Sequence, residues 1–227
     1  MNNAQRGIVW TGLGFVVLFV AGGLLLGELF GAFADPDHYF IAYFADPDHQ
    51  IRDLIGGHLI AASAFALLLF CTLLTRYLRS MGTTETGLQI AQVSGMVAVT
   101  LLLVGVSAVL CVSMAKAFGR ISGDDPLTSP AVALAPQLGY VLVFFPTMWA
   151  AALTIGGFAW AGWNRHLWGR GVRWLSVAAA LLLPLSWISF MPVLLLPIWV
   201  LAVSAWAWRS TPTGGHGPDV ADVLPQL

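Results

Sequence analysis

Charge is confined to the gaps. Five uncharged stretches, 7–27, 54–75, 86–115, 126–164 and 174–208, fill most of the 227 residues, and nearly every Asp, Glu, Lys and Arg falls between them. A helix rises about 1.5 Å per residue and the hydrocarbon core is about 30 Å thick, so roughly 20 apolar residues make one crossing. Each stretch is long enough, and the chain reads as an all-α integral membrane bundle. With 58% hydrophobic and 9% charged residues and a mean hydropathy of +0.82, it lies outside the range of soluble globular proteins.

The spans are expected at about 7–30, 54–78, 88–115, 132–162, 172–190 and 192–209, forming one membrane domain, with 210–227 a disordered cytoplasmic tail rich in Pro and Gly. The first stretch lacks a small-x-small cleavage site and is kept as a span. The last holds 35 uncharged residues, too many for one crossing. Pro184, Pro192 and Pro197 favour a tight turn near Met191, because proline lacks a backbone donor and disfavours helix at the preceding residue. One long kinked helix or a re-entrant hairpin is the rival. Six crossings place Arg6, Arg76, Arg79, Arg165, Arg170, Arg173 and Arg209 on one side, against Arg52, Lys116 and Arg120 on the other. By the positive-inside rule both termini are then cytoplasmic and the site is the plasma (inner) membrane.

Between the first two spans the chain writes Phe33-Ala34-Asp35-Pro36-Asp37-His38 and repeats it as Phe44-Ala45-Asp46-Pro47-Asp48-His49. Asp before Pro starts helices, because the carboxylate caps free amides and proline needs no donor in the first turn. The first copy is expected to open a short amphipathic interfacial helix, about 36–43, carrying Tyr39, Phe40 and Tyr43; the second opens the next span. His49 and Asp53 are one helical turn apart, with His58 deeper and Glu28, His38 and Asp46 near in sequence. Nitrogen and oxygen donors of this kind can gather round a divalent ion or relay protons. Helix caps, solvated loop histidines and a hydrogen-bonded membrane histidine account for the same residues without either.

Gly23, Gly27 and Gly31 recur every four residues, marking a face where another helix can approach closely; Gly57, Ala61, Ala64, Ala152 and Gly156 read the same way. Packing within the bundle or a seam between two copies both satisfy the pattern. Trp10, Trp163, Trp168, Trp174, Trp206 and Trp208 fall near one set of boundaries, as an aromatic belt does. Polar residues of the third span, among them Gln89, Gln92, Ser94, Ser107 and Ser113, and the Pro146 kink in the fourth leave a transport path open as a reading.

A net charge of -1 and a pI near 6.5 supply no basic surface for nucleic acid. Cys71 and Cys111 both lie in apolar stretches and read as small buried residues. Bis-histidine haem, a retinal lysine on the last span, His-Glu-x-x-His, Gly-x-Ser-x-Gly and a phosphate loop all lack their residues, and no cofactor is expected beyond the divalent metal already weighed.

Tyr43 to His49, then Gly56-Gly57 and the arginines at Arg76 and Arg79, resemble a family of actinobacterial multi-pass membrane proteins of the domain-of-unknown-function type. Gln137-Leu138-Gly139-Tyr140 and Leu196 to Leu201 are similar to the same pattern, so the resemblance covers most of the chain. The doubled Asp-Pro-Asp-His departs from it, one copy being expected. The resemblance implies a fold and no activity. Two readings of function follow: a non-catalytic scaffold or accessory subunit that binds lipid, a membrane partner or a second copy, and a small transporter or metal-dependent enzyme built on the outer Asp/His/Glu cluster.

Overall fold

Helix starts and stops follow caps and prolines. The computed structural model describes residues 3–26, 43, 46–117, 130–163 and 167–210, without the side chains of 116 and 130–133. These form helices α1 (Asn3–Leu25), α2 (Pro47–Ser80), α3 (Glu85–Val109), α4 (Cys111–Ala117), α5 (Pro130–Phe144), α6 (Pro146–Trp163), α7 (Arg170–Leu182) and α8 (Leu195–Arg209), with 3₁₀ turns at Leu183–Trp187 and Met191–Leu194. No strand occurs among the described residues. Five segments are long and apolar enough to cross a membrane: Asn3–Leu25, Pro47–Ser80, Glu85–Val109, Leu134–Trp163 and Met191–Arg209. The expected interfacial helix, of which only Tyr43 is described, and the tail beyond Ser210 lie outside the described residues.

Two expected spans are interrupted. The third ends at Val109, turns at Leu110 and resumes as α4. The fourth divides at Phe145, because Pro146 has no N–H for the Leu142 carbonyl; the Thr147 hydroxyl donates to that carbonyl instead, at 2.7 Å. The expected fifth span, 172–190, is the 13-residue α7 running into a 3₁₀ turn at Pro184. After the second turn α8 comes back beside it. Trp206 Nε1 donates to the Leu167 carbonyl at 3.0 Å, so the far end of α8 returns to the foot of α7 and 167–210 is a hairpin.

Lipid gives apolar helices no hydrophobic reason to associate, so close backbone approach must supply the attraction. Three reciprocal glycine contacts supply it. A Cβ on Gly22 would lie 2.7 Å from the Gly56 carbonyl oxygen, and one on Gly56 3.2 Å from that of Gly22, joining α1 to α2. Gly87 and Gly157 meet at 2.9 and 2.8 Å, joining α3 to α6, and Gly105 and Gly139 at 3.1 and 2.5 Å, joining α3 to α5. Gly23, expected at such a contact, has open space where its Cβ would be; Gly27 and Gly31 lie outside the described residues. Gly156 likewise meets little, only Ala180 at 3.9 Å. Gly22 and Gly157 are each one residue away from Gly23 and Gly156, a rotation of about 100° round the helix, whereas Gly57 packs as expected, against Leu110.

Trp199 of α8 is buried at the centre. Its ring packs edge-on to Phe70 of α2 (6.1 Å, 83°) and face-on to Phe158 of α6 (6.1 Å, 22°), and its Nε1 donates to Ser176 Oγ of α7 at 2.8 Å. One side chain thus ties four helices. At the end holding residue 3, Gln5 of α1 is fully buried and its Nε2 donates to Tyr77 Oη of α2 (3.1 Å) and to the carbonyls of Ala207 (3.3 Å) and Ser210 (2.5 Å). Of the six belt tryptophans, Trp10, Trp163, Trp174 and Trp208 are exposed, whereas Trp168 is buried and packs on the half-buried Trp206 at 4.6 Å. Inward packing takes these two because their indole N–H groups find the Phe158 and Leu167 carbonyls.

The glycine register makes a prediction. Gly22→Ala must push α1 off the backbone of α2 and should destabilise the detergent-solubilised protein by about 1–3 kcal/mol, the range for overpacking. Gly23→Ala should not destabilise it. Thermal unfolding of both variants checks the pair.

Candidate functional site

The Asp-His segment forms a small clasp at the start of α2. Asp46 has extended backbone (φ -85°, ψ 118°) and its Oδ1 accepts from the Asp48 N–H at 2.9 Å, with Pro47 in the first turn. This is the expected cap. His49, one turn on, stacks flat against Tyr43 (4.4 Å, 5°) and its Nδ1 donates to the Tyr43 carbonyl at 3.2 Å, with Asp46 Oδ2 at 3.8 Å. Asp53, four residues further on the same face, is fully buried. Tyr43 Oη donates to its Oδ1 at 2.7 Å and Ser113 Oγ of α4 to its Oδ2 at 3.0 Å.

Gly57 places Ser113 there. It lies one turn after Asp53, and Leu110 fills the space its side chain would occupy. Leu110 is the residue at which α3 ends, so the chain can turn over Gly57 and carry α4 across to Asp53. Ser113 and Tyr43 are the functional residues missed as partners of Asp53. Their signal was present only as a polar residue at the end of an apolar span and an aromatic just before a helix cap.

The remaining predicted residues do not join the clasp. His58 is five positions past Asp53 and faces outward; its Nδ1 donates to the Leu54 carbonyl of its own helix at 2.6 Å. Glu28 and His38 lie outside the described residues. Among the described residues no group of three His, Cys, Asp or Glu side chains is placed to hold a metal ion. His49, Asp46 and Asp53 are instead occupied by a ring, a helix cap and two hydroxyls. Ser94, proposed above for a transport path, donates to the Ile90 carbonyl (2.6 Å) and sits 3.1 Å from Thr154 Oγ1.

The described cavities carry no ionisable lining. One of about 40 Å³ lies between α1, α2, α3, α5 and the second 3₁₀ turn, with Phe19, Leu26, Ile60, Val106, Phe144 and Val193 in its walls. No Asp, Glu, His, Lys or Arg lines it, or the three other described pockets. No protein-family model, no curated protein and no solved structure matches the chain.

Loss of a buried acceptor strands its donors. Asp53→Ala leaves the Tyr43 and Ser113 hydroxyls without their partner and should destabilise the protein by about 1–3 kcal/mol for each group that stays dry. Ser113→Ala, which removes one donor, should cost less than Asp53→Ala, and His58→Ala should leave stability nearly unchanged. Thermal unfolding of the three variants in one detergent orders them.

Proposed function

We propose that this chain is a non-catalytic multi-pass membrane protein, a scaffold or accessory subunit that acts by binding lipid or a membrane partner. Asp53 carries the reading. The one buried carboxylate among the described residues has a hydroxyl on each oxygen, and none of the four described pockets is lined by it. Such a group holds a bundle together; a reacting group needs room for a substrate.

Depth supports the same reading. The 34 residues of α2 run about 51 Å, well over the thickness of about 30 Å that hydrocarbon requires. With Arg76 at one boundary, the other falls near Gly56, about 20 residues back, and the clasp stands in the headgroup layer or beyond. The rival, a transporter or metal-dependent enzyme, needs Glu28 and His58 to converge with the Asp-His segment, and His58 is exposed and bonded to its own helix instead.

We further propose six crossings in the plasma (inner) membrane with both termini cytoplasmic. The 167–210 hairpin supports the count, since α7 and its 3₁₀ turn together cover 18 residues before α8 returns. In sealed proteoliposomes carrying an internal pH dye, the purified chain should dissipate an imposed proton or sodium gradient no faster than empty vesicles. Gradient collapse that Asp53→Asn abolishes would establish the transport reading instead. Reporter fusions after Ser210 and after Ile188 should report opposite sides; the same side would reduce the hairpin to a re-entrant loop.

A further inference from the structure

Three arginines surround the Gln5 node. Arg6 follows Gln5, Arg76 precedes Tyr77, and Arg209 precedes Ser210, so each stands about 3.8 Å of backbone from a residue bonded in that node. All three are exposed, and none makes an ion pair with another described residue. The single acid described at this end, Glu85, is taken by Arg79 at 2.6 and 3.2 Å. Three cations are therefore each next in sequence to a residue bonded at one buried amide, and no anion among the described residues pairs with them.

What faces them follows from the helices that carry them. On α1 the exposed positions after Arg6 are Trp10, Leu13, Val17, Val20 and Leu24, a stripe at helical spacing. On α2 the exposed positions run Ile51, Ile55, His58, Ala62, Phe65 and Leu69 to Arg76, apolar all the way from Ala62 to Leu69; on α8 they run Ile198, Leu201, Ala205 and Trp208 with Arg209 next. Apolar stripes of this length are the surfaces that acyl chains cover. Each guanidinium terminates its stripe at the same end of the bundle, beside an exposed tryptophan on α1 and on α8, which is the level of lipid phosphates.

We propose that Arg6, Arg76 and Arg209 form a binding site for the headgroup phosphate of an anionic phospholipid in the leaflet at this end of the bundle. The guanidinium forks supply paired donors to phosphate oxygens, and the adjoining stripes take the acyl chains. Lysine would give charge without the fork. The proposal rests on the chain crossing a bilayer and is independent of whether the chain catalyses anything.

The test uses the full chain in phosphatidylcholine vesicles with spin-labelled phosphatidylglycerol or spin-labelled phosphatidylcholine, reading the motionally restricted fraction by electron paramagnetic resonance. The wild type should prefer phosphatidylglycerol by about fivefold or more, the scale of one arginine at a charged surface. R6Q/R76Q/R209Q should bring the preference close to parity, while R79Q/R170Q/R173Q keeps most of it. Millimolar inorganic phosphate should not displace the lipid. Equal loss in the two triple variants means a diffuse basic girdle and overturns the site, as does an unchanged preference in the first. Displacement by inorganic phosphate overturns the lipid as its ligand. Melting curves for each variant, and the single substitutions measured alone, separate lost binding from lost folding. Failure of the wild type to float with vesicles would refute the membrane reading itself, a different result from loss of preference.

Discussion

Backbone lying against backbone at three glycine pairs sets the geometry from which the rest follows. Gly22 with Gly56, Gly87 with Gly157 and Gly105 with Gly139 each bring a carbonyl oxygen to between 2.5 and 3.2 Å of where the opposite Cβ would stand, so a side chain there must displace a neighbour. Association inside lipid depends on such packing, because lipid tails are as apolar as the side chains they would replace. Once α1 lies on α2 in that register, Gln5 reaches Tyr77 and the end of α8. Once α3 lies between α5 and α6, Leu110 sits over Gly57 and Ser113 meets Asp53.

Apart from the Thr84 and Ser204 hydroxyls, the buried polar side chains described in this bundle close hydrogen bonds within it. Thr147 serves the carbonyl that Pro146 leaves open, Ser176 receives the Trp199 indole, and His58 is bonded to its own helix. Asp53 follows the same rule on a larger scale, joining a turn, α2 and α4 through two hydroxyls. Satisfied groups of this kind specify one packing arrangement, since any alternative leaves a buried donor or acceptor without a partner. Chemistry at a substrate would need the opposite, a polar group held open.

Much of the fold was legible because the rule behind it is one-dimensional. Length and hydropathy locate apolar helices, and Asp46-Pro47 locates the start of α2. The phase of each helix was not legible. Gly22 and Gly157 pack where Gly23 and Gly156 were expected, and a uniformly apolar helix carries no periodicity to say which side faces its neighbour. The break at Phe145 was marked by Pro146, whereas the one at Leu110 was hidden, since a turn buried among helices leaves no polar loop in the sequence. At the site, His49 and Asp53 were found from their i, i+4 spacing. Ser113, 60 residues away, was reachable only through the Leu110 turn.

The register itself is best tested by crosslinking along the seam of α3 and α6, where Ser94 Oγ and Thr154 Oγ1 stand 3.1 Å apart. With Cys71 and Cys111 replaced by alanine, the pair Ser94→Cys, Thr154→Cys should form an internal disulfide under mild oxidation, found as a linked peptide by mass spectrometry. The pair Val93→Cys, Gly156→Cys, shifted round both helices, should not. Efficient linking of the second pair and none of the first would contradict the glycine register and everything built on it.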